Sequence, residues 1–229
     1  MLSRLHRWFG NGWMGIAELL ITALCVFFSL SVHEFAHGYA AYKLGDGTAK
    51  YMGRLNLNPM SHLDPLGALC LFLFGFGWAK PVPINPSNFR RDKMKSGMVI
   101  TALAGPCGNL ITAFVSILIM HILNAVYGGV GGILMTVVQV ISTLLYVMAY
   151  MNIGLAVFNL IPIPPLDGSK VLNAVLPARI YFKLMQYEQF GFIIMIILIN
   201  MPFFGRLLYG LETLVWTFFN FVVGLIPFL

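Results

Sequence analysis

The residues best suited to chemistry are His33-Glu34-Phe35-Ala36-His37. Residues four apart on an α-helix share a face, offset by about 40° and 6 Å along the axis. Two imidazoles so placed can bind one Zn²⁺. Glu34, beside the first of them, can take a proton from a water that the metal acidifies. The chain has five His and four Glu among 229 residues. At that composition a chance H-E-x-x-H is expected roughly 0.002 times, so the match carries weight. A zinc hydrolase needs a third protein ligand if one coordination position is to stay open to water. Ala40 and Lys43 stand where the metzincin continuation requires Gly and His, so that ligand must come from elsewhere. Glu188 and Glu212 lack ligand-like surroundings, whereas His62 and Asp64 lie in a polar stretch and are possible, although His62 reads better as a surface or capping residue than as a ligand. Asp167 is the best of the set. It follows Asn159-Leu160-Ile161-Pro162-Ile163-Pro164-Pro165-Leu166 and precedes Gly168. Proline-broken backbone at membrane depth is tolerated only where protein buries it or it lines a cavity. The plain alternative for Asp167 is a turn residue in water.

The elements that must position these groups are set by lipid. Apolar residues make up 59% of the chain and charged residues 10%, with a mean hydropathy of +0.84. A typical soluble domain has about 25% charged residues. Disorder and an ordinary water-soluble fold are both excluded. The formal charge of +6 comes from 14 Lys and Arg against 8 Asp and Glu. In a membrane protein such an excess reports orientation, and no nucleic-acid partner is expected. Cys25, Cys70 and Cys107 sit in or beside apolar runs and read as reduced packing residues.

The expected fold is an all-α polytopic membrane protein with about four to six transmembrane or partial helices. It forms one domain over residues 1–229. The zinc-motif helix covers residues 16–44, and its 29 residues reach roughly 43 Å, enough to cross a bilayer. A secretory signal with Arg4 and Arg7 at its start and Ser29 and Ser31 at its cleavage site is the alternative. The helical pattern running past Ser31 argues against it. Residues 45–97 form a polar, re-entrant segment. Within it Arg54-Leu55-Asn56-Leu57-Asn58 alternates with period two, which predicts a short β-hairpin or extended strand able to pair with an extended substrate. Residues 66–78 are apolar but short, and residues 79–86 are extended by proline. Spans follow at 98–123 and 133–158. Residues 159–187 carry Asp167, and residues 188–229 hold two apolar stretches separated by Pro202 and Gly205.

Charge orients the bundle. Lys43, Lys50, Arg54, Lys80, Arg90, Arg91, Lys93 and Lys95 lie between the first two spans, and Lys170, Arg179 and Lys183 follow the third. The turn at 124–132 has no charge. The positive-inside rule puts 45–97 and 168–187 in the cytoplasm and 124–132 outside, in the cell membrane. Arg4 and Arg7 run counter to the resulting outer N-terminus.

His33–His37 taken with Asn159…Leu166-Asp167-Gly168 resembles the site-2 protease family of intramembrane zinc metalloproteases. Gly105-Pro106-Cys107-Gly108-Asn109 is similar to that family's Gly-Pro-x-x-Asn element. His62-Leu63-Asp64-Pro65-Leu66-Gly67 and Trp78-Ala79-Lys80-Pro81-Val82-Pro83-Ile84-Asn85 resemble its compact bacterial members, which lack PDZ and CBS domains. The resemblance implies one Zn²⁺ on His33, His37 and Asp167, with Glu34 as catalytic base and acid. It implies Asn159 as the oxyanion or substrate-positioning residue, and transmembrane segments of other proteins as substrates. Asn109 either supports the site or lets helices approach closely. Another membrane zinc hydrolase would use a Glu in place of Asp167. A non-catalytic scaffold would not need Glu34. A transporter should carry ionisable groups from face to face, and the spans from 98 to 158 hold only His121.

Overall fold

The computed structural model describes residues 12–74, 77–90, 94–127 and 131–226. Arg4, Arg7, Arg91 and Lys93 of the charge pattern lie outside these residues. The chain runs through α1 (Gly12–Lys43), the short α2 (Thr48–Tyr51) and α3 (Pro59–His62), α4 (Pro65–Phe74), α5 (Met94–Tyr127), α6 (Ile133–Asn159), α7 (Asp167–Val175), α8 (Ala178–Met185), α9 (Gly191–Ile199) and α10 (Pro202–Gly224). Four of them, α1, α5, α6 and α10, are long and apolar enough to cross a membrane. Their outer faces are apolar and bare: Leu24 is 64% exposed, Ile111 65%, Leu214 66% and Phe221 63%. Such faces belong against lipid chains. The fold is an all-α polytopic membrane protein. With 10 and 9 residues, α4 and α9 reach roughly 15 Å, half a hydrocarbon core, and are partial helices.

The helix ends follow from local chemistry. α1 stops in a Schellman turn. The Asp46 N–H donates to the Ala41 carbonyl (2.9 Å) and the Gly45 N–H to the Tyr42 carbonyl (3.1 Å). Gly45 supplies the φ of +113° that this turn requires. The helix is continuous through Ser29 and Ser31, whose hydroxyls donate to the carbonyls of Cys25 and Phe27. Pro202 stands where α9 and α10 part and opens the latter, because a first-turn proline has no N–H to lose.

The core is built by α5, α6 and α10. Ala113 and Ile117 meet Ala149, Ile153 and Val157, and Val223 closes the cluster. Phe114 and Phe219 add an edge-to-face contact. α1 packs on α5 and α6, and α7 lies against α5. The end of α5 and the start of α6 lie together at one end of the bundle. The end of α1, the 79–85 strap and the start of α7 meet away from it.

One expectation is overturned. Arg54–Asn58 forms no β-hairpin, and among the described residues the β-pairing consists of a single antiparallel bridge, Leu63 with Ala79. The period-two pattern has another cause. Asn56 folds back, its Nδ2 donating to the Gly53 carbonyl and its Oδ1 accepting from the Asn58 N–H. Asn58 then caps α3 by accepting from the Met60 N–H. Asparagine turn chemistry thus displaces the strand.

The extended piece is the proline-rich strap from Ala79 to Asn85. The Lys80 N–H donates to the His62 carbonyl (2.8 Å), and Arg54 Nη2 donates to the Lys80 carbonyl (2.9 Å). Its far end is pinned by Asp46, which is 1% exposed. That carboxylate accepts from the Asn85 N–H (2.7 Å), Asn88 Nδ2 (2.8 Å), and the N–H and hydroxyl of Thr48. Burial pushes the Asp46 carboxyl up, but the hydrogen bonds from Thr48, Asn88 and Asn85 outweigh it and hold the group below the ordinary carboxylate range. Its stabilisation is therefore full above about pH 3.9 and lost as pH falls through the lower folded-state value. Asp46→Ala should cost about 2–3 kcal/mol in thermal unfolding. Asp46→Asn should lose less stability than wild type as pH falls from about 4 to about 2. Parallel acid curves for the two proteins would count against this assignment.

Candidate metal centre

α1 presents His33 and His37 from one face, both buried, with ring centroids 4.5 Å apart and planes at 87°. α7 delivers Asp167 to them. Pro162, Pro164 and Pro165 keep residues 160–166 from continuing α6, so α7 starts at Asp167, where a first-turn carboxylate faces the positive end of the helix dipole. Gly168 is obligatory here. A Cβ on it would lie 2.5 Å from the Leu160 carbonyl carbon and 2.6 Å from the Ile161 oxygen.

The three reactive atoms converge. His33 Nε2 is 3.0 Å and His37 Nε2 2.9 Å from Asp167 Oδ2, and the two Nε2 atoms are 3.0 Å apart. The other nitrogen of each ring is engaged. His37 Nδ1 lies 2.7 Å from the Thr101 carbonyl oxygen, which can only accept, so Nδ1 holds the proton and Nε2 its lone pair. His33 Nδ1 lies 2.6 Å from Asn109 Oδ1. Two imidazole lone pairs and a carboxylate oxygen thus face one point, an arrangement that calls for a cation. Donors of a tetrahedral zinc shell, with bonds of about 2.0 Å, sit about 3.3 Å apart, and the observed spacing is within a few tenths of that. The His-His-Asp set fits zinc in type and number and leaves a fourth position open. Asp167 Oδ1 is taken by Lys170 Nζ at 3.0 Å, which leaves Oδ2 for the centre.

Glu34 belongs to the same helix turn but stands outside this triangle. Its Oε2 accepts the Val82 N–H at 2.8 Å, so the strap holds the carboxylate. Asn109, wholly buried on α5, touches His33 directly. Asn159 ends α6 with its Nδ2 on the Leu155 carbonyl at 2.9 Å, one of the two amide protons it has to give. Arg54 braces the strap. Leu55 reaches the α1 backbone at Gly38, where a Cβ would lie 3.2 Å from its Cδ1. Asn56 and Leu57 lie in the irregular turn. His62 is 2% exposed, with Nε2 on the Asn56 carbonyl, so it is an internal brace rather than a surface residue. Asp64 accepts the Gly67 N–H at the start of α4, and Glu212 hydrogen-bonds Tyr150, so neither joins the centre.

The sequence gives no pointer to Thr101 and Val82, which act through backbone atoms that any side chain could carry. Gly105 did have a signal, the Gly-Pro pair. A Cβ there would fall 2.6 Å from His37 Cε1, 2.7 Å from His33 Cε1 and closer still to His37 Nε2. The α5 backbone therefore forms one wall of the centre. Gly105→Ala should weaken zinc binding about tenfold or more without loss of helix, measured by metal titration alongside circular dichroism. Wild-type affinity in that variant would show that α5 can retreat freely.

Known proteins are similar to this chain in sequence. The sequence profile of Peptidase family M50 matches residues 21–201. The chain is 38% identical over 193 residues to "Putative zinc metalloprotease YwhC" of Bacillus subtilis (strain 168), covering 82% of this chain and 83% of that one. It is 28% identical over 214 residues to "Putative zinc metalloprotease Rip2" of Mycolicibacterium smegmatis (strain ATCC 700084 / mc(2)155), covering 91% of this chain and 76% of that one. It is 25% identical over 157 residues to "Zinc metalloprotease MJ0392" of Methanocaldococcus jannaschii, covering 68% and 34%. No solved structure matches. A profile that takes in both histidines and Asp167, and a relative so similar over most of both chains, make this protein a member of peptidase family M50, the site-2 protease family.

Proposed function

We propose that this membrane zinc protease is an endopeptidase that hydrolyses peptide bonds in or near transmembrane segments of other membrane proteins. The observation that supports it most is the convergence of His33 Nε2, His37 Nε2 and Asp167 Oδ2 within 3.0 Å of one another at the end of a lipid-solvated bundle. One Zn²⁺ per chain would be held by these three residues. When bound, it supplies Lewis acidity that lowers the pKa of water and polarises a carbonyl.

The protein groups do the rest. Glu34 is the general base: it takes the proton of the attacking water and returns it to the leaving amine. The Val82 N–H fixes Oε2 of that carboxylate and leaves Oε1 for the proton. Asn159 has a second amide proton, which we assign to the developing oxyanion. With neutral imidazoles, the charges of Glu34, Asp167 and a divalent metal sum to zero, which suits a low-dielectric site. Water reaches the centre along the polar residues 45–64, on the cytoplasmic side by the positive-inside rule. The substrate must unwind, because helical carbonyls are already hydrogen-bonded. We assign Arg54, Leu55, Asn56 and Leu57 to its docking in extended form.

Purified wild type should contain one zinc and cut a single-pass peptide in vesicles. Glu34→Gln should keep the metal and lose at least about 100-fold in rate, the usual span for a general base. Asp167→Asn should lose metal and activity together. A Glu34→Gln variant that cuts at the wild-type rate would refute the mechanism. Leu55→Pro or Leu57→Pro should cut cleavage while sparing zinc content, and undiminished cleavage would reject the docking assignment.

A further inference from the structure

Behind the first histidine lies a closed relay of polar groups, crossing three spanning helices. Ser29 on α1, Asn109 on α5 and Asn152 on α6 are each 0% exposed. Buried amides and hydroxyls in a lipid-solvated bundle are unfavourable unless every donor and acceptor is matched. Here each is matched, and the directions follow without ambiguity from main-chain carbonyls, which can only accept. Ser29 Oγ donates to the Cys25 carbonyl at 2.7 Å, so its lone pair faces outward. Asn152 Nδ2 donates to that Oγ at 2.7 Å and to the Met148 carbonyl at 2.8 Å. Its Oδ1 must then face Asn109, and it accepts from Asn109 Nδ2 at 2.7 Å. The other proton of Asn109 Nδ2 goes to the Ser29 carbonyl at 3.1 Å. Both amide protons of Asn109 are thus committed, and only Oδ1 remains for His33 Nδ1, 2.6 Å away. Rotating the Asn109 amide by half a turn would set its oxygen against two acceptors and its NH₂ against His33.

We infer that Asn152, supported by Ser29, is a positioning residue of the metal centre. Through Asn109 it holds the His33 proton on Nδ1 and so keeps the Nε2 lone pair aimed at the metal. His37 needs no such relay, because a main-chain carbonyl faces its Nδ1 directly. The inference rests on the metal-centre reading above, though not on the nature of the substrate.

The test is a double-mutant cycle on the full chain in detergent. It is read by zinc affinity in chelator competition and by the visible spectrum of the Co²⁺-substituted protein. Asn152→Leu, close in volume and apolar, should weaken zinc about tenfold, as loss of an outer-shell partner does, and alter the Co²⁺ bands. Asn109→Ala should weaken it by at least as much. The double variant should be no weaker than Asn109→Ala alone, because Asn152 acts through Asn109. Wild-type affinity and spectrum in Asn152→Leu, or losses that multiply in the double variant, would overturn the inference and leave Asn152 as packing. If Asn152→Leu does not fold, Ser29→Ala decides the matter: a smaller loss in the same direction supports the relay, and unchanged affinity overturns it. A wild type that takes up no zinc would sink the metal-centre reading itself, and the relay with it.

Discussion

The structure turns on electrostatic crowding. Two imidazole lone pairs and a carboxylate oxygen are held at mutual contact where little water can screen them. Left to themselves these groups repel, so the surroundings must hold them against that force. Each of the three is accordingly gripped from behind. Thr101 takes His37, Asn109 takes His33, and Lys170 takes the outer oxygen of Asp167. These partners come from α5 and α7, whereas the histidines come from α1. The site is therefore a product of packing between helices distant in sequence, and no single helix could make it.

That demand explains the small residues along α5. Contact between α1 and α5 must be close enough for a main-chain carbonyl and a buried amide to reach imidazole nitrogens. Ala102, Gly105 and Pro106 keep that face slim, and Ala113, Ala149 and Ala156 do the same where α5 and α6 meet. In lipid, association of helices draws on such close packing and on hydrogen bonds, because no apolar surface is being removed from water. The polar network through Ser29, Asn109 and Asn152 and the stripe of small side chains serve one end. They set the distance between three helices to within the tolerance of a hydrogen bond.

Much of this was legible in the sequence. Long apolar runs foretold the spans, because length and hydropathy are what a bilayer tests. The pair His33 and His37 was readable because helical periodicity alone puts them on one face. Asp167 was readable because it follows a proline-broken stretch, and such backbone at membrane depth must be buried in protein or line a cavity. The failures are also physical. Arg54–Asn58 has the alternation of a strand, but Asn56 and Asn58 spend their side chains on neighbouring main-chain groups, and local turns form in place of a ladder. The partners Thr101 and Val82 contribute main-chain atoms, which no residue type advertises. Asn152 has no neighbouring motif, and its meaning appears only when α6 is laid beside α5.

The strap carries a consequence for how this architecture can vary. Its two ends are fastened to different parts of the molecule, at Ala79 by the bridge to Leu63 and at Asn85 by the carboxylate of Asp46. Glu34 is gripped midway between these moorings, at Val82. α4, from Pro65 to Phe74, lies outside the span between them. A change in that helix touches neither mooring. Evolution can thus remodel it, and whatever it meets, while the carboxylate of Glu34 keeps its place.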